Sequence, residues 1–262
     1  MPFLEIRLLG PPSVNWTGKP LHIPRRQARG LLFRLAIHMQ PVPREHLCYL
    51  FWSDKPENQA RRNLSHLLTH LRRALPAPDD ILSVDDQIAL NGSLVWSDSV
   101  AFEQLCTAYQ RRPSAPTLHE AVEYYRGPLL MGFSLPRSPD FESWMTLERQ
   151  IWERHYLETL SLMIEEAMQA GNVVDAIELA QRYLYINRLD EEMHCRLMEL
   201  YAISGNRGAS LAQYRECVNI LDEELGILPL SETTALYSAI VKGTFPGRQE
   251  SERSRWLKLV QE

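Results

Sequence analysis

Apolar and polar positions alternate at the start of the chain. Leu4, Ile6 and Leu8 fall on one side and Glu5 and Arg7 on the other, which is the period of a strand. Gly10-Pro11-Pro12 is a turn signal; Val14 and Trp16 come after it. Thr17-Gly18-Lys19 turns again and Leu21 and Ile23 resume, so a small antiparallel meander is expected. After Pro24 the period becomes helical: Ala28, Leu31, Leu32, Leu35, Ala36 and Met39 form one stripe, and Pro41 closes it. Arg25, Arg26, Arg29 and Arg34 lie off that stripe or at its start. A second short helix is expected over 43–51, with Leu47, Leu50 and Phe51 inward.

The third helix is the most informative. Pro56 suits a first turn, and Leu64, Leu67, Leu68, Leu71 and Leu75 make an apolar stripe as far as residue 75. At about 100° per residue, Arg62, His66, Thr69 and Arg73 point the other way, flanked by Asn63 and His70. No acidic residue occurs from Ala60 to Leu75, so no Glu supports an Arg at i, i+4 within that stretch. Such a face has the chemistry to enter a major groove. Arg forks onto guanine, Asn onto adenine, and Thr meets a thymine methyl or a phosphate. Arg61 and Arg72, with Arg25 and Arg26, are placed to hold phosphates. The competing reading is a solvated helix face. Pro76-Ala77-Pro78-Asp79-Asp80 breaks the helix, and 81–84 and 88–90 read as two short strands around Asp85-Asp86. Strands, three helices and a terminal hairpin are the order of a winged helix-turn-helix, with the hairpin as its wing.

Beyond residue 97 the pattern is helical throughout. Helices are expected over 100–112, with Asp98 as cap and Phe102, Leu105 and Tyr109 inward, and over 117–125. A long helix from about Phe141 carries Trp144, Ile151, Leu160, Met163 and Ala167. A shift of 34 residues then lays Ala170-Gly171-Asn172 on Ser204-Gly205-Asn206, and Ala176, Ile177 and Leu184 on Ser210, Leu211 and Val218. A period of 34 with Gly between two helices is the tetratricopeptide signature. Helices near 154–169, 173–187, 190–204 and 208–223 form two such units, and one near 231–242 closes the stack. The fold class expected is mainly α with a small antiparallel β component, a winged helix-turn-helix followed by a tetratricopeptide-like helical domain. The expected boundaries are 1–97, 98–243 and a polar linker or further module over 244–262.

Composition bounds the function. The 262 residues, at about 150 per domain, make one or two domains. The net charge of −5 hides a split: 12 Lys and Arg against 8 Asp and Glu up to residue 97, and 16 against 25 after it. A basic first domain and an acidic second one point to nucleic acid and to protein respectively. No run approaches 18 uncharged apolar residues, so no membrane partner is expected. The opening segment, broken by Glu5 and Arg7, is not a signal peptide. Cys48, Cys106, Cys195 and Cys217 form no C-x-x-C pair; a reduced, cytoplasmic location is expected. P-loop, H-E-x-x-H and G-x-S-x-G motifs are absent from the sequence, so no enzyme and no cofactor are expected. His66 and His70 stand at i, i+4 but have no Cys or carboxylate at ligand spacing, and no metal is expected.

Several stretches together resemble one family. Leu8-Leu9-Gly10 with Val14, Pro24-Arg25-Arg26-Gln27-Ala28 and Phe51-Trp52-Ser53-Asp54 look like its opening strands, first helix and second-helix end. Ala60-Arg61-Arg62-Asn63-Leu64 and Leu71-Arg72-Arg73-Ala74-Leu75 are similar to its most recognisable helix. Asp98 with Phe102, Tyr125-Arg126-Gly127-Pro128-Leu129, Leu211-Ala212-Gln213-Tyr214-Arg215 and Glu224-Leu225-Gly226-Ile227 continue the match over about 3–243. The chain thus resembles the Streptomyces antibiotic regulatory protein (AfsR/SARP-like) family, which joins an OmpR-type winged helix to a bacterial transcriptional activation domain. The resemblance implies an activator whose third helix lies in the major groove of double-stranded DNA, with protomers in tandem on direct repeats. It also implies a helical domain serving homodimerisation or contact with RNA polymerase and other transcription proteins.

One departure stands out. Family wings often carry Arg or Gly near the tip, whereas this one has Ser83-Val84-Asp85-Asp86-Gln87, and carboxylates repel phosphates. The alternative function is therefore a protein-interaction or scaffold module whose winged helix no longer binds DNA strongly. No receiver domain is expected ahead of strands that begin at residue 3. The apolar tip with Trp256, Leu257 and Val260 leads to the expectation that the natural protein continues beyond residue 262.

Overall fold

Leu4, Ile6, Leu8 and Leu9 are fully buried, and the strand they begin organises the amino-terminal sheet. In a computed structural model, residues 4–77 and 80–245 are described, apart from the side chain of Ala115. Pro78, Asp79 and the tail with Trp256, Leu257 and Val260 lie outside the described residues. Strand β1 (Leu4–Arg7) pairs antiparallel with β2 (Ser13–Trp16), which pairs with the short β3 (Lys19–Pro20). On its other edge β1 takes a parallel partner, β7 (Val95–Ser97), in the order β3-β2-β1-β7. The sequence pattern missed β7, because a three-residue strand carries too little alternation to register. It missed β4 (Val42–Pro43) for the same reason.

Three helices come after the meander: α1 (Arg26–Ala36), α2 (Arg44–Trp52) and α3 (Glu57–Ala74). Most of their inward residues are those the stripes indicated, among them Leu31, Leu32 and Leu35 of α1, Leu47 and Phe51 of α2, and Leu64, Leu67, Leu68 and Leu71 of α3. Met39 falls past α1 and is half-buried, while Phe33 and Ile37 are buried off the stripe. Each such leucine contributes roughly 1.5–3 kcal/mol by leaving water. Strands β5 (Ile81–Val84) and β6 (Gln87–Leu90) form the wing hairpin, and β4 adds to β6. The two turn residues, Asp85 and Asp86, have φ of 48° and 62°. Two successive left-handed residues make the primed turn whose twist suits a hairpin.

Helices α4 (Asp98–Arg111), α5 (Ala115–Tyr124) and α6 (Pro139–Gln169) come next. Asp98 does not cap α4 as the sequence led one to expect. The cap position is Ser97, and the fully buried Asp98 carboxylate instead accepts the N–H groups of Leu8 at 2.7 Å and Leu9 at 3.1 Å. Ser99 donates to the carbonyl of Ile37 at the end of α1, and Ser138 to that of Phe51 in α2. The segment between α5 and α6 runs along the continuation of β1, with Arg126 N–H donating to Leu9, Leu130 to Leu8 and Met131 to Gly10. Arg149 holds that segment from α6 by donating to the carbonyls of Leu129, Leu130 and Phe133. Aromatic pairs join the same parts: Phe33 with Phe133 and Phe51 with Phe141, both at 5.1 Å between centroids. Packing therefore runs on across residue 97, and the two compact units of the chain are 1–156 and 157–262. The division falls inside α6.

The second unit repeats a hairpin: α7 (Val173–Ile186), α8 (Glu191–Ile203), α9 (Arg207–Leu225) and α10 (Ser231–Lys242). The 34-residue repeat is visible in its turns. Asn172 caps α7 by accepting from Asp175, and Asn206 caps α9 by accepting from Ala209. The preceding Gly171 and Gly205 both have positive φ, and Asn172 and Asn206 donate to the matching carbonyls of Ala167 and Tyr201, each at 2.8 Å.

His38, just past α1, was not singled out by the sequence. Its Nδ1 lies 3.5 Å from Glu103 of α4 and its Nε2 lies 3.3 Å from Glu148 of α6, with the ring stacked on Trp152. Pairing first with Glu103 and then with Glu148 raises its pKa to about 9 against the opposing effect of burial. Burial pushes the Glu148 carboxyl up, but His38, the Trp144 indole N–H and the nearby Arg34 bring it net below the ordinary value.

This packing has consequences for stability. A His raised in the folded state stabilises fully below its unfolded value of 6.5 and loses that contribution as pH rises through about 9. Melting temperature is therefore expected to fall over that window, and His38→Gln to flatten the fall; parallel slopes in the two proteins would contradict the pairing. Gly10 has φ +122°, and a Cβ there would lie 3.1 Å from Arg126 Cβ and 3.2 Å from its carbonyl carbon. Gly10→Ala is expected to cost about 1–3 kcal/mol in urea unfolding.

Candidate nucleic-acid interface

The apolar stripe of α3 fixes which way its other side faces. With Leu64, Leu67, Leu68 and Leu71 buried, Arg61, Arg62, Ser65, His66, Thr69 and Arg73 are exposed, and Asn63, His70 and Arg72 are half-buried at the margins. Arg62, His66, Thr69 and Arg73 thus share one outward face, with Asn63 and His70 beside it. Among the described residues no ion pair engages Arg62, Arg73 or the exposed Arg25. Thr69 donates its hydroxyl to the Ser65 carbonyl at 2.9 Å, which leaves the acceptor capacity of its oxygen unused by that bond. Arg25, Arg73 and His66 also surround His70. Desolvation first, and then the charges of Arg25, Arg73 and His66, hold its pKa below the usual histidine value.

Three of the sequence-selected cations are differently placed. Arg61 Nε lies 2.9 Å from Glu57 one turn earlier, and its Nη1 lies 3.5 Å from Asp86 of the wing turn. The i, i+4 partner absent from 60–75 is therefore supplied from just before that stretch. Arg72 Nη2 donates to Ser83 Oγ of β5 at 2.6 Å, bracing α3 against the wing. Arg26 donates to Ser134 Oγ at 3.0 Å, and its guanidinium lies 5.5 Å over the Phe133 ring. Only Arg25 of the expected phosphate-holding set stands clear beside the face of α3. Arg44, which no sequence pattern marked, opens α2 and lies 3.6 Å from Asp86. Periodicity carries no signal for a cation whose role depends on a wing forty residues away.

The described residues contain no group of three or more His, Cys, Asp or Glu side chains placed to hold a metal ion. Nor is any helix among them long and apolar enough to cross a membrane.

A three-helix unit with a hairpin wing, followed by repeated helical hairpins, defines a winged-helix regulator architecture. Residues 97–241, more than half of the chain, match the family described as bacterial transcriptional activator domain. The chain belongs to that family of transcription regulators, and its resemblance to the Streptomyces antibiotic regulatory proteins holds. The transcriptional regulatory protein MoaR1 of Mycobacterium tuberculosis is 25% identical over 256 residues, covering 91% of this chain and 79% of that protein. MoaR1 of Mycobacterium bovis is 24% identical over 257 residues with the same coverage. Mycobacterium tuberculosis EmbR, solved in complex with a low-affinity phosphopeptide, superposes with a TM-score of 0.72 at 20% identity. That match covers 93% of this chain but 66% of EmbR, so a third of EmbR lies outside it, and it speaks for the fold.

The charge environment of α3 is open to direct measurement. The His70 imidazole is expected to titrate below 6.5 by NMR, and Arg73→Ala to move its midpoint upward. A midpoint at or above the ordinary value in the unaltered chain would contradict the cationic surroundings.

Proposed function

We propose that the chain regulates transcription by binding double-stranded DNA, with α3 in the major groove. The carrying observation is the outward face of α3, where Arg62, His66, Thr69 and Arg73 stand exposed while the opposite leucines are fully buried. Arg62, Asn63, His66, Thr69, His70 and Arg73 are the base-reading candidates, because their donors and acceptors match those of groove edges. Arg25 is placed to hold a phosphate. Arg26, Arg61 and Arg72 can do so only by giving up Ser134, Asp86 or Ser83. The 98–243 part would serve dimerisation or contact with the transcription machinery, and tandem protomers would read direct repeats about one helical turn apart. The MoaR1 relatives, named as transcriptional regulatory proteins, support this reading.

A second reading, a protein-interaction module, is favoured by the acidic wing turn and by the exposed Leu225, Ile227, Leu228 and Leu230 around the α9–α10 connection. The solved EmbR complex contains a phosphopeptide, so a peptide partner is a concrete form of it.

Selection from randomised duplexes, and then fluorescence anisotropy at two salt concentrations, separates the two. Enrichment of direct repeats is expected, and Arg62→Ala or Arg73→Ala should each cost about 1–3 kcal/mol on the selected sequence if the contact is to a base. Equal weakening on every sequence would mark a phosphate contact. Absence of enrichment, with only weak salt-sensitive binding, would favour the interaction module.

A further inference from the structure

The acidic wing turn is unusual for the groups its second residue touches. Asp86 Oδ1 lies 3.6 Å from Arg44 Nε and Asp86 Oδ2 lies 3.5 Å from Arg61 Nη1. One carboxylate thus bridges two guanidinium groups carried by two helices, α2 and α3. Its backbone is anchored as well, because the Arg44 N–H at the start of α2 donates to the Asp86 carbonyl at 3.0 Å. The left-handed turn geometry of Asp85 and Asp86 delivers the side chain to this position.

The contacts are loose. Charge-assisted N–H to oxygen bonds close to about 2.7–2.9 Å, whereas those of Asp86 are 3.6 Å and 3.5 Å long. The Asp86 side chain is 58% exposed, and exposed pairs of this kind hold weakly. The guanidinium fork matches a phosphate as well as it matches a carboxylate. With Glu57 on Arg61, this corner holds two cations and two anions and is neutral, while the neighbouring Arg62, Arg73 and Arg25 are uncompensated. A surface that is cationic along the face of α3 is thus masked at its amino-terminal end, beside the wing turn.

We propose that Arg44 and Arg61 form a phosphodiester-binding site and that Asp86 occupies it in the unbound protein as an internal competitor. DNA engages this corner by displacing the Asp86 carboxylate, so the wing turn sets how strongly the protein holds DNA of any sequence. This rests on the DNA-binding reading of α3. Asp85, the neighbouring residue of equal charge, makes no ion pair among the described residues and is the internal control.

The test uses the full chain and a fluorescent random-sequence duplex, with anisotropy read across a series of salt concentrations. Asp86→Asn keeps the turn, since Asn adopts the left-handed region readily, and circular dichroism and melting verify the fold. The expected result is several-fold tighter binding and a slope of log affinity against log salt steeper by about one to two, as one or two more phosphates are neutralised. Asp85→Asn is expected to give a smaller gain. Adding Arg44→Gln and Arg61→Gln to Asp86→Asn is expected to abolish the gain. Unchanged or weaker binding by Asp86→Asn, or an equal gain from Asp85→Asn, would overturn the competitor while leaving the DNA-binding reading intact. If neither the unaltered chain nor Asp86→Asn binds the random duplex or yields an enriched sequence, both fall together.

Discussion

A single buried carboxylate joins the winged helix to the helices after it. Asp98 opens α4, yet its oxygens face the end of β1 and accept the N–H groups of Leu8 and Leu9. Arg126, from the segment after α5, stands 3.4 Å away. Burial pushes the Asp98 carboxyl up, the two N–H groups and Arg126 pull it down, and the net shift is upward. Burial therefore disfavours the ionised form more than the surrounding donors favour it. Without that carboxylate two buried N–H groups would stand unpaired, at about 1–3 kcal/mol each. Ser99 and Ser138 act in the same way on carbonyls of Ile37 and Phe51. Polar side chains of the later helices thus satisfy backbone groups of the winged helix, and aromatic packing around Phe133 and Phe141 closes the apolar part of the same junction.

That junction supports the unit that carries α3. Helix α3 is held from beneath by its leucines and from the side by Arg72 on Ser83. Side chains meant to read a surface must be presented by an element that does not move when they bind. The outward face of α3 meets that condition, because the contacts that fix the helix come from its other faces. The cations available for binding are those that the bracing does not consume. Arg62, Arg73 and Arg25 fall in that group, and Arg26 and Arg72 serve the fold instead.

The second unit obeys a different logic, in which each helical hairpin buries its apolar side only against a neighbour. Ala176 and Ala180 of α7, Leu197 and Met198 of α8 and Ile220 and Leu221 of α9 are buried in this way. The turns are set locally, by Asn172 and Asn206 as caps after a glycine in the left-handed region. Local chemistry sets where each hairpin bends, and stacking supplies its stability.

Period and local chemistry made part of this protein legible from its residues alone. The stripe of α3, the wing hairpin around Asp85-Asp86, the helical hairpins at 34-residue spacing and the outward placement of Arg62, His66, Thr69 and Arg73 all rest on a local period, a local turn or a regular repeat. Short-range geometry determines them. The parallel β1–β7 pairing, the role of Asp98, the His38 pairing with Glu103 and Glu148, and packing that continues across residue 97 were decided only by the tertiary structure. So was the division of the cations into braces and exposed groups: Arg61 and Arg62 are neighbours in sequence, but only Arg61 reaches Asp86. These features join residues tens of positions apart, and no local period encodes which buried donor or distant carboxylate a side chain will meet.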